Sequence, residues 1–244
     1  MAVAPGAFKL MPVLVKTWNK NALDHSWVMP DGFNVLIPVI KKDTVRLRID
    51  ELQGASVYFE YSENAPLEYA KANCANVIHS VDALVLRNMI RRCSYNVNRV
   101  EQVSDLLTMR ILSQSKPANE LKDAKLEKLV ELSQKNAWID PIFVDFITEE
   151  NVYLLPIDIA QKLNNLLSKM LEHEPFDLIT VHDAFRCHPK YGNTVRYWYK
   201  EIMAELSESN VLACIYSQLV GKEHKFNKYG NIGDLIRESN YGLS

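Results

Sequence analysis

The chain has 244 residues, 48% of them apolar and 24% charged, with a formal charge of −2. That length can bury a real core in one or two domains, and the composition is that of an ordinary globular protein. The near-neutral balance excludes a basic coat protein, so any nucleic-acid site has to be a local basic cluster. Four cysteines, at positions 74, 93, 187 and 214, form no CxxC pair and no close His/Cys cluster. A structural zinc site and a disulfide framework are therefore disfavoured, and a reducing cytoplasm is the expected compartment. No secretory signal is recognised at the N-terminus, and no uninterrupted apolar run is long enough to span a bilayer. A membrane is not among the expected partners.

In chain order, residues 8–27 are ambiguous: Phe8, Leu10, Val13, Val15 and Trp18 alternate loosely, and Asn19 to His25 reads as loop. In Trp27-Val28-Met29-Pro30-Asp31-Gly32-Phe33, Pro fixes φ and Asp-Gly supplies the bend, which predicts a hairpin. Val45, Leu47 and Ile49 then alternate with Arg46, Arg48 and Asp50, the pattern of a half-buried strand with a basic outer face. Lys41, Lys42, Arg46 and Arg48 are candidate phosphate contacts, although a solvated strand face is the simpler reading of them. Residues 54–74 read as a polar, aromatic-rich connection that turns helical near its end.

Ser80 is read as a helix N-cap, with Asp82 in the first turn where the helix dipole favours an acid. His79 then stands immediately before the helix start. Leu86, Met89, Ile90 and Cys93 form the apolar stripe of that helix, with Arg87 and Arg91 four apart on one face. Val97 to Ile111 and Leu121 to Val130 predict two further helices separated by Pro117. A short element follows Trp138, and Ile157 to His173 predicts another helix. The charge run from Glu120 to Glu131 is most simply a solvated helix face.

Phe176-Asp177-Leu178-Ile179-Thr180-Val181-His182-Asp183-Ala184-Phe185-Arg186-Cys187 reads as two short strands around an acid, the first of them buried. A carboxylate on the lip of a buried strand is costly without a positive partner, and a metal ion is a natural one. The alternative is a tight turn whose His-Asp pair only satisfies backbone donors. Beyond it, Asn193 to Ser209 and Val211 to Val220 predict two helices, and Leu235-Ile236 begins a last short one.

Four stretches, in order, resemble the C-terminal part of the single-subunit RNA polymerases of bacteriophages and mitochondria. Trp27 to Phe33 is similar to that family's Pro-Asp-Gly-Phe turn, and His79-Ser80-Val81-Asp82 to its His-Ser-x-Asp segment. Val181-His182-Asp183-Ala184-Phe185 resembles the motif C hairpin, which carries one of two catalytic aspartates. Leu212 to Leu219, with the Gly-Asn-Ile-x-Asp-Leu-Ile tail, resembles the family's terminal foot. The resemblance covers most of the chain outside residues 95–175.

The departures also inform. His79 and His182 stand 103 positions apart, a much longer connection than the family's. The motif A aspartate and the motif B Lys…Tyr-Gly helix are not found; both belong upstream of Trp27.

The resemblance implies an α+β, helix-rich fold: a small antiparallel palm hairpin or sheet packed on helices, with an inserted helical module. The division it suggests is 1–94, palm and fingers-proximal; 95–175, inserted module; 176–209, motif C hairpin and helix; 210–244, foot. The implied function is that of one subunit of a split DNA-dependent RNA polymerase, a nucleotidyltransferase active only as a heterodimer. Its second subunit carries motifs A and B. The other partners are a DNA template, an RNA transcript and nucleoside triphosphates, in the host cytoplasm if the source is a bacteriophage. Mg²⁺ is the implied cofactor, with Asp183 as metal ligand, His182 beside the RNA 3′ end and His79 near the nascent base pair. Lys41, Lys42, Arg46, Arg87 and Arg91 are the implied nucleic-acid contacts. The alternative is a polymerase-derived binding module without chemistry. A DNA-polymerase palm is disfavoured because Ala184, not an acid, follows Asp183. An HD-type phosphohydrolase is disfavoured because His25, His173, His188 and His224 form no helix-borne set.

Overall fold

A computed structural model describes residues 5–66, 72–113, 122–181, 184–228 and 230–240. The fold is α+β and helix-rich, with three two-stranded antiparallel sheets set among helices in the described residues. None of the described helices is long and apolar enough to cross a membrane.

The chain opens with α1 (Pro5–Val15), where the sequence pattern was ambiguous, and β1 (Asp24–Val28) follows where a loop was expected. The expected hairpin pairs β1 with β2 (Asn34–Pro38), Val28 opposite Asn34. At its tip Gly32 N–H donates to Met29 O (2.9 Å) and Met29 N–H donates to Phe33 O (2.8 Å). Gly32 sits at φ +79°, the left-handed residue that a three-residue loop of this kind requires.

β3 (Ile40–Ile49) and β4 (Ala55–Pro66) form a long ribbon, Val45 opposite Phe59 and Leu47 opposite Val57. Two sequence expectations fail here. Residues 55–66 are strand rather than connection, and β3 is not half-buried: Val45, Leu47, Val57, Phe59 and Tyr61 are all exposed. The alternation of β3 is real, but a two-stranded ribbon presents both faces unless another layer covers one.

α2 (Ala72–Cys93) begins a full two turns before the expected start. Asn73, Val77, Ser80 and Leu84 are buried at helical spacing, so the stripe extends upstream of Ser80. Ser80 is therefore mid-helix, not a cap. Its hydroxyl donates to Val77 O (2.7 Å) and accepts from the indole Nε1–H of buried Trp27 (3.1 Å).

The remaining helices are α3 (Val97–Leu112), α4 (Ala124–Asn136), a single turn α5 (Phe143–Phe146), α6 (Ile157–Met170), α7 (Gly192–Glu208), α8 (Val211–Val220) and α9 (Ile232–Glu238). Between α6 and α7 lies the hairpin of β5 (Ile179–Val181) and β6 (Ala184–Arg186). One continuous core joins Leu84 and Met89 of α2, Val103 and Leu107 of α3, Leu163 and Leu167 of α6, and Trp198 and Ile202 of α7. The helices of residues 95–175 thus bury their apolar faces in the same core as the flanking segments. α8 also grips β1: the Gln218 amide accepts from Val28 N–H (2.8 Å) and donates to Val28 O (3.1 Å).

Candidate active-site hairpin and basic ribbon

The β5–β6 hairpin pairs Ile179 with Arg186, Thr180 with Phe185, and Val181 with Ala184. In sequence, His182 and Asp183 connect Val181 to Ala184; both lie outside the described residues. Thr180 and Phe185 share the half-buried face, where Phe185 packs on Tyr199 of α7 with ring centroids 5.8 Å apart. Ile179 and Val181 are exposed, 63% and 48%. The expectation of a buried strand is corrected accordingly. One face of the hairpin rests on α7, and no second layer among the described residues covers the other.

A groove of about 410 Å³ flanks the base of the hairpin, lined by Phe176, Asp177, Arg186, His188 and Tyr191 among others. On its wall Phe176 and Tyr191 stack nearly parallel, with centroids 4.3 Å apart. Most of its lining comes from the Phe176–Cys187 stretch already singled out in the sequence, although the groove itself was not expected there. Among the described residues no three His, Cys, Asp or Glu side chains gather as a metal-ligand group. The carboxylate on which the Mg²⁺ expectation rests, Asp183, lies outside those residues.

His79 is exposed in the middle of α2, with no hydrogen bond or ion pair among the described residues. Arg87 and Arg91, farther along the same helix, are engaged within the chain. The Asp31 carboxylate, fully buried, accepts from Arg87 Nε (2.6 Å) and Nη2 (3.0 Å) and from Arg91 Nη1 (3.0 Å). Arg91 Nη1 also donates to Asp140 (3.0 Å), which accepts from Asn88 Nδ2 (2.5 Å) and Ile142 N–H (2.9 Å) as well. Asn88 Oδ1 in turn accepts from Arg92 Nε (2.8 Å), and Arg92 forks onto Glu205 of α7. Burial pushes the Asp31 carboxyl upward, but hydrogen bonds and charge from Arg87 and Arg91 outweigh it and hold it below the ordinary range. At Asp140, burial prevails over the pull of Arg91 and the carboxyl is raised.

This network ties the β1–β2 turn, α2, the segment before α5, and α7 together. The sequence reading missed it. Asp31 was visible only as a turn residue, and its arginines lie 56 and 60 positions away.

The ribbon carries the other basic candidates. Lys41 pairs with Asp43 (3.2 Å) and Glu63 (2.9 Å), Lys42 with Glu60 (2.8 Å), and Arg48 with Asp50 (3.6 Å). Arg46 Nε donates to Ser56 Oγ (2.9 Å) and its guanidinium lies over the Tyr58 ring (5.9 Å). The register puts Lys42, Thr44, Arg46 and Arg48 on one face with Ser56, Tyr58, Glu60 and Ser62. Val45, Leu47, Val57, Phe59 and Tyr61 occupy the opposite face.

Magnitudes separate the two groups of cations. The Lys42–Glu60 side chains are 66% and 56% exposed, and ion pairs so well solvated contribute little to stability. They can be exchanged for phosphate at little cost. Arg87 and Arg91 face carboxylates only 0–2% exposed, and breaking such pairs costs roughly 3–5 kcal/mol. The ribbon cations are available to a ligand, whereas Arg87 and Arg91 hold the fold. No protein-family profile matches this chain, and no curated protein matches it significantly.

Proposed function

We propose that this chain is the palm-and-foot part of a phage-type DNA-dependent RNA polymerase. The observation that carries the reading is the β5–β6 hairpin. Its strands flank His182-Asp183 in sequence, one face is packed on α7, and the other is bare. An exposed face on strands that flank the candidate carboxylate in sequence suits a site completed by further polypeptide. In this reading the motif A aspartate and the motif B helix, which these residues do not contain, come from further polypeptide.

In this reading Asp183 is one of two carboxylates that hold the Mg²⁺ ions, and His182 lies beside the RNA 3′ end. The bound ions supply charge stabilisation for attack of the 3′-hydroxyl on the α-phosphorus of a nucleoside triphosphate, with pyrophosphate leaving. The basic face of the ribbon, Lys42, Arg46 and Arg48 with Lys41 beside it, meets nucleic-acid phosphates. Arg87 and Arg91 act instead as positioning residues, holding α2 against the Pro-Asp-Gly turn. His79 is open to solvent and free to meet a substrate.

The test is RNA synthesis on a single-stranded template with Mg²⁺. It compares the chain alone, the complex with its native binding partner, and that complex carrying Asp183→Asn. Activity only in the complex, abolished by Asp183→Asn, is the expected result. A complex equally active with Asp183→Asn refutes the catalytic assignment and leaves a binding module.

A further inference from the structure

α9 sits on α7 in an inverted sense. A surface helix ordinarily buries an apolar stripe and turns its charges to solvent. Here Ile232 and Leu235 are 51% and 67% exposed. None of Ile232, Leu235 and Ile236 joins the core that takes in Trp198 and Ile202 of α7. The contacts that α9 does make with α7 are polar. Arg237 Nε donates to both carboxylate oxygens of Glu201 (3.2 and 3.3 Å), and Nη1 and Nη2 fork onto Glu208 (2.5 and 3.0 Å). Nη1 also reaches Asp234, one turn back on α9 itself (3.4 Å). From the other side, Lys200 Nζ of α7 donates to the carbonyls of Arg237 (3.1 Å) and Ser239 (2.9 Å), closing the C-terminal end of the helix.

The close approach depends on a glycine. Gly233 is buried against α7, and a Cβ there would collide with the Glu208 carboxylate. A helix of seven residues does not hold itself in water, where lengths below about 12–15 residues are marginal. The order of α9 therefore comes from docking, and docking with so little apolar burial rests on charge. Arg237 is the hub. It is 31% exposed and Glu208 45%, with Glu201 better covered at 13%. Such a fork is open to screening, since the Debye length falls from about 10 Å at 0.1 M salt to about 3 Å at 1 M. α7 itself is fixed from within, by Trp198 and Ile202 in the core and by the fork of Arg92 onto Glu205.

We propose that α9 is a strap latched to α7 by charge, which leaves α7 while the core stays folded. Its release uncovers the Glu201 and Glu208 carboxylates and carries Ile232 and Leu235 away with the arm. The inference draws on neither Asp183 nor the ribbon, and its test needs no RNA synthesis. Hydrogen exchange, followed by mass spectrometry on peptides from α2, α6 and α9, compares the full chain with Arg237→Gln and Leu235→Ser. In Arg237→Gln the α9 amides should exchange about tenfold faster or more, with α2 and α6 still protected. Moving the wild-type chain from about 0.1 M to about 1 M NaCl should have the same effect. Leu235→Ser removes an outward side chain and should leave α9 exchange within about threefold of wild type. Thermal melting shows that both variants remain folded. Exchange of α9 unmoved by Arg237→Gln or by salt overturns the proposal. So does loss of protection in α2 and α6 along with α9, which would deny a separable strap. Release by Leu235→Ser as large as by Arg237→Gln overturns it too, because apolar contact would then hold the helix.

Discussion

Asp31→Asn is the most informative single substitution in the fold. It keeps the shape of the side chain and removes the charge that Arg87 and Arg91 share. Arg87 reaches both carboxylate oxygens (2.6 and 3.0 Å), so the asparagine NH₂ necessarily opposes a guanidinium N–H. Removing one partner of a buried pair costs roughly 3–5 kcal/mol. Here Arg87 and Arg91 are 20% and 24% exposed and can be partly rehydrated, and Arg91 retains Asp140. The expected loss is therefore about 2–3 kcal/mol. Urea denaturation measures it as a lower midpoint with unchanged slope. The pH dependence has a definite sign. A carboxyl held below its ordinary value contributes fully above that value, near 3.8, and loses the contribution as pH falls through its folded value. The gap between wild type and Asp31→Asn should thus be constant from neutral pH to about 4 and narrow below it. A cycle with Arg87→Met should give a coupling of at least ~1 kcal/mol. A loss under about 0.5 kcal/mol, or an additive cycle, refutes the view that this network anchors the turn to α2.

Other substitutions probe single links. Ser80→Ala leaves the buried Trp27 indole N–H without its acceptor and should cost about 1–2 kcal/mol in urea denaturation; no measurable loss would return Ser80 to a passive role. Ala137 ends α4 at φ +49° with its side chain exposed, so Ala137→Gly should stabilise by about 0.5–1 kcal/mol and raise the melting temperature. Burial, with the neighbouring Cys187, pushes the Cys93 thiol up to about 12. It should resist alkylation in the native chain at pH 8 and react once unfolded, as mass spectrometry would read.

How far the sequence could be read depended on the range of the interactions that decide each element. α3, α6, α7 and α8 were legible because their apolar stripes recur at helical spacing over ten residues or more. The β1–β2 turn was legible because Pro30, Asp31 and Gly32 act through their own backbone angles. Ser80 misled for a physical reason: a serine hydroxyl can cap a helix start or bond the carbonyl three residues back. Buried Trp27, 53 positions away, and the stripe that continues upstream through Val77 and Asn73 select the second arrangement. β4 was misread although its period-two pattern was present, Val57, Phe59 and Tyr61 against Ser56, Tyr58 and Glu60. Its polar residues mimicked a loop because its partner strand leaves both faces in water.

The same distinction governs the charged residues. From sequence, Lys42, Arg46, Arg87 and Arg91 are one class, cations at regular spacing on amphipathic elements. The fold divides them by the burial of what they face. Glu60 is solvated and can release Lys42 to a phosphate, whereas Asp31 and Asp140 are desolvated and cannot release Arg87 or Arg91 without leaving a buried charge. Removing a ribbon cation should therefore weaken nucleic-acid binding with little effect on stability, and removing Arg87 should do the reverse. Lys42→Gln and Arg87→Gln, each measured for oligonucleotide affinity and urea midpoint, test this directly. If Arg87→Gln lowers affinity at an unchanged midpoint, α2 faces the nucleic acid after all, and Asp31 is only the counter-ion that holds its arginine in place.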